Sequence, residues 1–343
     1  MKILQVTPQY PPQSGGVETH VAEISERLVD RGHEVTVLTA DAGNKGNHVE
    51  RRNGVQIRRY RSIAPNETIH FSPQIATAVR RSNASIVHAH NYHSFPLFFA
   101  ALGVGDRQFV VTTHYHGGSA SPVRDRLLSV YHPFGLWAVR RADSVIAVSE
   151  WERKQLATDF GVTATVIPNG LEIKRFSEAE PIEYNRPYLL SVGRLEEYKG
   201  IQYVIRAMSQ LPEYDLLVVG SGSYREELER ITREEGINEQ VKFLGYVDDK
   251  QLPPLYVGAE MYVTMSEFEA YGMTVAEALA AGTPCVVRET GGLKDWVSQE
   301  GVIGIDDPDS NQIVEVISQQ EATVTPHISS WNQITKRIEE LYR

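Results

Sequence analysis

The segment SEFEAYGMTVAEALAAGTPCVV (266–287) carries the residues best placed for chemistry. Seven residues separate Glu269 from Glu277, the first in the loop after the apolar run MYVTMS (261–266), the second inside the helical pattern that follows. The loop between them contains Gly272 and opens that helix. Its first amides therefore lack intrahelical acceptors and lie at the positive end of the helix dipole. Such a corner suits a phosphate or sugar hydroxyls. Two carboxylates beside it accept hydrogen bonds from diols such as those of ribose or a hexose. Glutamates commonly end as solvated surface charges. Here the glycine-bearing loop, the helix and the AGTP exit turn occur together, which sets this pair apart.

A second candidate is Gly15-Gly16, which follows the first strand pattern and precedes the first helix, so that backbone can approach a phosphate closely. A plain turn is the ordinary reading of two glycines. Histidines form a third group. Six of eleven fall between positions 88 and 132: His88, His90, His93, His114, His116 and His132. Two His-x-His pairs raise the question of a metal. Imidazoles at i and i+2 of a strand share a face with or without an ion, so no metal is expected. His33 reads as structural, in a helix-to-strand turn. The stretch VRDRLLSVYHPFGLWAVRR (123–141) sets Leu127, Tyr131, Phe134 and Trp137 at helical spacing, with Arg124, Arg126, Arg140 and Arg141 at its ends. An ordinary packed helix, kinked at Pro133, is one reading. A surface for an anionic membrane or lipid-linked acceptor is the other.

These residues need elements to position them. KILQVTP (2–8) and EVTVLTA (34–40) flank VETHVAEISERLVD (17–30), whose Val17, Val21, Ile24 and Leu28 recur at three and four. Gly32 stops that helix. Further strands are expected at 55–61, 85–90, 109–114, 144–150 and 165–170. In the second half they fall at 188–194, 216–222, 241–246, 261–266 and 283–289, with helices near 199–209, 223–235, 250–258 and 271–281. This alternation predicts an α/β fold of two doubly wound, Rossmann-like domains whose strand ends meet at a cleft, where ligands of open α/β sheets bind. The segment 171–187 lacks periodicity and reads as an interdomain linker. Trp331, Ile334, Ile338 and Leu341 form the apolar face of a C-terminal helix. The expected bounds are 1–175, 176–325 and 326–343.

The 343 residues suit two such domains. The longest apolar run, Phe95 to Gly105, has 11 residues, against roughly 20 for a membrane helix, and reads as a buried helix. Cys285 is the only cysteine, which fits a reducing compartment. Met1-Lys2 leads into an apolar run too short for a signal peptide. A cytoplasmic protein is expected, with any membrane contact peripheral. The net charge of −10 is uneven, since residues 1–175 hold 20 Lys+Arg against 15 Asp+Glu. A basic N-terminal half suits an anionic surface or acceptor, and nothing points to nucleic acid.

The segment around Glu269 and Glu277 resembles the E-x7-E motif of retaining GT-B glycosyltransferases of family 4. The resemblance spans nearly the whole chain: PPQSGGVETHVAEISERLVDRGHEVTVLT resembles the family's opening, SEWERKQL…VIPNGLE its domain junction, and LLSVGRLEEYKG its first C-terminal strand. It implies a GT-B fold with a deep interdomain cleft and a C-terminal helix crossing back to the N-terminal domain. It implies that Glu277 holds the ribose of a UDP- or GDP-sugar, that Glu269 lies near the donor sugar, and that the amides of Ala270, Tyr271, Gly272, Met273 and Thr274 meet sugar hydroxyls and phosphate. Arg194 and Lys199 match the family's diphosphate clamp, where fixed cations stabilise the charge of the leaving group without a metal. Gly15 and Gly16 fall on the diphosphate loop. His114 best matches a histidine near the donor sugar, with His116 the alternative. Base contacts are expected from the main chain near Gly245, Tyr246 and Val247. The nucleotide-sugar is then a co-substrate and no cofactor is expected. The acceptor is a glycan, a lipid-linked molecule or a small molecule.

Other classes fit less well. A sugar-nucleotide epimerase of the same build would isomerise donor with no acceptor. A periplasmic-type binding protein would need a signal peptide. A dinucleotide oxidoreductase would need G-x-G-x-x-G after strand one, which PQSGGVETH lacks and GSGSYREE (220–227) only partly offers.

Overall fold

The computed structural model describes residues 1–13, 15–41, 43, 46–62, 70–118, 122–319, 324 and 327–343, without the side chains of 122–125 and 127. Ser14 of the opening motif, and the side chains of Arg124 and Leu127, therefore lie outside the described residues. Two compact units are formed, Met1–Gly170 with Ser329–Arg343, and Leu171–Ile328.

The first unit runs β1 (Lys2–Thr7), α1 (Gly16–Asp30), β2 (Glu34–Thr39), β3 (His48–Arg52), β4 (Val55–Arg59), α2 (Gln74–Arg81), β5 (Ile86–His90), α3 (Phe95–Gly103), β6 (Gln108–Thr112), α4 (Pro122–Arg140), β7 (Ser144–Ala147), α5 (Glu150–Phe160) and β8 (Thr165–Val166). The second runs α6 (Ile173–Ser177), β9 (Tyr188–Val192), α7 (Ile201–Met208), β10 (Asp215–Val219), α8 (Arg225–Glu234), β11 (Val241–Gly245), α9 (Leu252–Val257), β12 (Met261–Thr264), α10 (Met273–Ala280), β13 (Cys285–Arg288), β14 (Val302–Ile305) and α11 (Ser310–Gln319). The chain then returns to the first unit as α12 (Trp331–Glu340).

Strand order is β3-β4-β2-β1-β5-β6-β7-β8 in one sheet and β11-β10-β9-β12-β13-β14 in the other. Among the described strands only β3–β4 pair antiparallel. The order reverses between β1 and β5 in the first sheet and between β9 and β12 in the second. At such switch points the loops part on either side and leave a crevice at the carboxyl ends.

Both faces of the first sheet are covered, which is why its strands read as continuous apolar runs. Leu4, Val6, Val87, Phe109 and Val111 pack under α2, α3 and α4. Ile3, Val37, Ile57, Val110 and Ile146 pack against Val21, Ile24 and Leu28 of α1 and against Ile334 and Ile338 of α12. Burying each such aliphatic side chain contributes about 1.5–3 kcal/mol. Ser330 caps α12 in a reciprocal box with Gln333. The C-terminal helix thus docks on the N-terminal unit, as expected.

Three expectations change. β3 (HVERR) is almost wholly exposed, so it carries no apolar alternation, and β14 is only four residues long; neither was visible in the pattern. The 171–187 segment holds a helix, α6, because Phe176 is buried 5.9 Å from the Tyr256 ring. Two apolar anchors are too few to show a period. In α4, which continues through Pro133, the aromatic face divides: Tyr131 is buried while Phe134 and Trp137 are 45% and 43% exposed.

Candidate active site

At the switch of the second sheet, the loops leaving β9 and β12 bring Lys199 and Glu269 together. After Val192 come Gly193 and Arg194, then a 3-10 turn (Glu197–Lys199), and Gly200 opens α7 with φ 71°. A Cβ on Gly200 would stand 2.3 Å from the Met265 carbonyl oxygen, so only glycine lets this turn press against the end of β12. Lys199 Nζ then lies 2.5 Å from Glu269 Oε1, with the side chains 18% and 22% exposed. Both line a recess with Gly193, Tyr262 and Thr264. Arg194 donates to the Tyr198 hydroxyl at 2.5 Å, and the Lys199 ammonium stands 5.3 Å from the same ring's centre. The two expected clamp residues therefore share Tyr198.

Glu277 does not join that pair. It projects from α10 and accepts a 2.9 Å hydrogen bond from Tyr256 Oη. Burial pushes its carboxyl up to about 7, with Tyr256 and Arg175 pulling the other way. The loop before it is held from behind. Gly292 N–H donates to the Glu269 carbonyl at 2.7 Å, and Trp296 Nε1 to the Tyr271 carbonyl at 2.5 Å. Gly272, φ 92°, is the N-cap, so the next amides, Met273 and Thr274, have no intrahelical acceptor. Tyr262 Oη donates to Thr274 Oγ1 at 2.7 Å. With carbonyls bound backward, Ala270–Thr274 can offer N–H groups forward. Gly245, Tyr246 and Val247 lie at the end of edge strand β11, where Tyr246 is 73% exposed.

The remaining expected residues belong to the first unit. His114 lies just past β6 in the left-handed region, φ 46°, a conformation that costs a non-glycine residue about 1–3 kcal/mol. Its neighbours hold it there. Thr113 Oγ1 and Tyr115 N–H both donate to Glu152 Oε1 at 2.5 Å, and Val148 N–H to Oε2 at 2.6 Å. Burial nevertheless pushes the Glu152 carboxyl up to about 7.

His114 is buried, its ring 4.8 Å from His20 of α1 and 6.1 Å from His90 at the end of β5. Burial lowers all three imidazoles, His20 to about 4, so they are neutral at pH 7. His88 shares the His90 face, ring to ring at 4.1 Å, yet both its nitrogens are engaged, by Tyr342 Oη at 2.7 Å and Thr112 Oγ1 at 2.8 Å. His116 instead stacks on His93 at 4.0 Å. A Cβ at Gly15 would meet Glu18 Oε2 at 2.2 Å, whereas at Gly16 nothing lies within 4 Å. The contact at Gly15 is with the movable end of the Glu18 side chain, and Gly16 is open on its Cβ side. His33 braces the helix-to-strand turn, with Nε2 3.3 Å from Glu339.

Sequence reasoning missed Tyr198, Tyr256, Glu152 and His20. Gly291-Gly292, read off ETGG, was an available turn signal for the loop's backing. The tyrosines and Glu152 had none.

Two parallel, doubly wound units with charged loops at a switch point have the build of a GT-B glycosyltransferase. The sucrose-phosphate synthase of Thermosynechococcus elongatus shares this fold, with a TM-score of 0.80 at 22% identity over 100% of this chain and 98% of that one. Residues 14–175 match Glycosyltransferase Family 4, and residues 172–323 match Glycosyl transferases group 1. An uncharacterised glycosyltransferase of Methanocaldococcus jannaschii is 30% identical over 88% of this chain and 83% of its own. The GDP-mannose-dependent alpha-(1-6)-phosphatidylinositol monomannoside mannosyltransferase of Mycolicibacterium smegmatis is 27% identical over 86% and 82%. The chain belongs to glycosyltransferase family 4 and is an enzyme of class EC 2.4.

Proposed function

We propose that the protein is a retaining hexosyltransferase, taking sugar from a UDP- or GDP-sugar held by the second unit to a hydroxyl of a glycan, lipid-linked or small-molecule acceptor, with no metal on the diphosphate. The observation that carries this reading is the Lys199–Glu269 pair at the β9/β12 switch. A half-buried ammonium paired with one carboxylate can exchange that partner for a diphosphate, and Arg194 stands on the same tyrosine. As the bond from the anomeric carbon to the diphosphate breaks, negative charge grows on the leaving oxygen, and fixed cations stabilise it. The acceptor oxygen bonds to the same face of that carbon, and its proton passes to the diphosphate. Glu277 takes the ribose hydroxyls, Glu269 the sugar, and the Ala270–Thr274 amides the hydroxyls and phosphate. His114 orients bound sugar by hydrogen bonding, and the open side of Gly16 admits an anionic group.

Thermal shift with UDP- and GDP-sugars identifies the donor. At a hundred times its Kd, a donor should stabilise by about 2.7 kcal/mol. Lys199→Ala and Glu277→Ala should each abolish that shift. Unchanged affinity in folded variants refutes the assignment.

The acceptor side supports peripheral contact with the anionic, cytoplasmic face of a membrane. Phe98 packs 5.4 Å from Phe134 and 5.8 Å from Trp137. Arg141 lies over the Trp137 ring at 5.9 Å, and Arg126 and Arg140 of the same helix are exposed, the latter with its Nε donating to the Phe160 carbonyl. Exposed aromatics among arginines fit lipid headgroups, and the similar Mycolicibacterium enzyme is named for phosphatidylinositol monomannoside. No described helix is long and apolar enough to cross a membrane. Trp137→Ala with Arg126→Glu should weaken binding to anionic vesicles, and unchanged binding discards this contact.

A further inference from the structure

We infer that His20, His90 and His114 form a binding site for a divalent transition-metal ion of the zinc type within the N-terminal unit, a site that the transfer reaction does not call for. The three side chains come from α1, the end of β5 and the loop after β6, elements adjoining the carboxyl ends of β1, β5 and β6 at the switch of the first sheet. One ring nitrogen of each lies within 4.8 Å of the other two. The ring centres are 4.8, 5.6 and 6.1 Å apart. Zinc–nitrogen bonds near 2.0–2.1 Å at tetrahedral to trigonal angles put imidazole centres roughly 5–5.5 Å apart, so modest ring movements would close the site.

Hydrogen bonding gives the second argument. His114 Nε2, His90 Nδ1 and both nitrogens of His20 are buried with no partner, a condition native interiors rarely leave unanswered. His90 Nε2 lies 2.7 Å from Gln5 Oε1, and Gln5 is itself directed by Tyr342 Oη, 3.4 Å from its Nε2. An amide oxygen only accepts. The His90 proton is therefore on Nε2, and Nδ1 presents a bare lone pair inward. A neutral imidazole carries a single proton, so one of the two unpartnered nitrogens of His20 is bare as well. Two lone pairs then share the cluster with His114, whose single proton cannot satisfy both. A cation does. An outer N–H held by an amide oxygen, as His90 Nε2 is by Gln5, is also the arrangement that orients a metal-bound imidazole. Three nitrogen ligands favour zinc, cobalt, nickel or copper over magnesium or calcium, and three protein ligands leave one coordination position open. Bound through Nε2, His114 would keep Nδ1 for a ligand. The absence of a metal expected from the His-x-His pairs rested on i, i+2 spacing, which could not show His20 joining from another element.

The test needs no donor or acceptor, so it is independent of the transfer activity. Untagged protein, stripped by chelator, is titrated with Co2+. The expected result is one ion per chain with the intense visible absorption of four-coordinate cobalt, displaced by Zn2+, and a Tm that rises with Zn2+ concentration. X-ray absorption at the zinc edge should show imidazole scattering. His20→Phe and His90→Phe should abolish the cobalt band, and Gln5→Leu should weaken zinc binding by about 10- to 100-fold. Substoichiometric uptake, a pale octahedral spectrum, or a band that survives His20→Phe overturns the inference, and a cluster bridged by water is then the answer. Should the histidine variants fail to fold, the wild-type titration and the Gln5→Leu ratio decide.

Discussion

Glu152→Gln tests what holds His114 in its strained conformation. The substitution keeps the shape of the side chain and exchanges one acceptor oxygen for an NH2 group. With the amide oxygen at the Oε1 position, Thr113 and Tyr115 keep their acceptor, but the NH2 faces the Val148 N–H that now donates to Oε2 at 2.6 Å. Orphaning that buried donor should cost about 1–3 kcal/mol. A protonated glutamic acid avoids the loss, because its O–H can donate to Thr113 Oγ1 while Thr113 turns to the Ile146 carbonyl, 3.4 Å away.

The difference should also depend on pH. The carboxyl titrates at 4.5 when unfolded and is pushed up to about 7 when folded, so between these values the folded state binds more protons and stability falls as pH rises. At about 1.4 kcal/mol per unit, the wild type should lose about 3 kcal/mol across that window, and glutamine should lose none. Urea unfolding from pH 5 to 8 measures both, followed by Trp137, Trp151 and Trp331, three of the four tryptophans, all in this unit. The variant should be the less stable at pH 5, and the gap should close or reverse by pH 8. A gap that is constant or widens with pH refutes the reasoning. The three donors would then outweigh burial and keep Glu152 charged throughout.

Gly200→Ala should destabilise the second unit by about 2 kcal/mol or more, from left-handed strain and overlap with the Met265 carbonyl, and should loosen Lys199; an unchanged Tm contradicts this. Ser330→Ala should cost about 1 kcal/mol through loss of the α12 cap, seen as a lower urea midpoint for the N-terminal unit, and an unaltered midpoint counts against it. The proposed contact of ribose hydroxyls with an ionised Glu277 predicts that donor affinity falls below pH 7, by up to about tenfold per unit. Calorimetry should find that dependence gone in Glu277→Gln, and a pH-independent wild type dismisses the assignment.

Most elements were legible where burial imposes a period, although α11, with Ile313 and Ile317 buried one turn apart, was not placed. Val21, Ile24 and Leu28 announced α1, and the apolar runs announced nearly every parallel strand. β3 escaped because an exposed edge strand has no apolar face to repeat. The candidate site was legible by residue type and hidden by partnership. Glu269 and Lys199 stood out singly, but their ion pair spans 70 positions and depends on Gly200 fitting against a carbonyl. Tyr256 bonds to Glu277 without any local signal, since a buried tyrosine reads as core until its hydroxyl is placed. The histidine pairs misdirected attention for a related reason. Adjacent imidazoles were visible at 88 and 90, whereas the cluster draws on 20, 90 and 114, brought together by the order of strands rather than by spacing.

Because α12 completes the first unit from the far end of the chain, that unit has a late-arriving wall. A ribosome finishes Thr165–Val166 well before it reaches Trp331, and until then Ile24 and Val110 lack the neighbours that Ile334 and Ile338 supply. The nascent N-terminal sheet must wait with one greasy flank uncovered while the whole second unit is synthesised. Premature termination anywhere in residues 171–330 would therefore damage the half of the protein already made, and such fragments should be sticky substrates for chaperones.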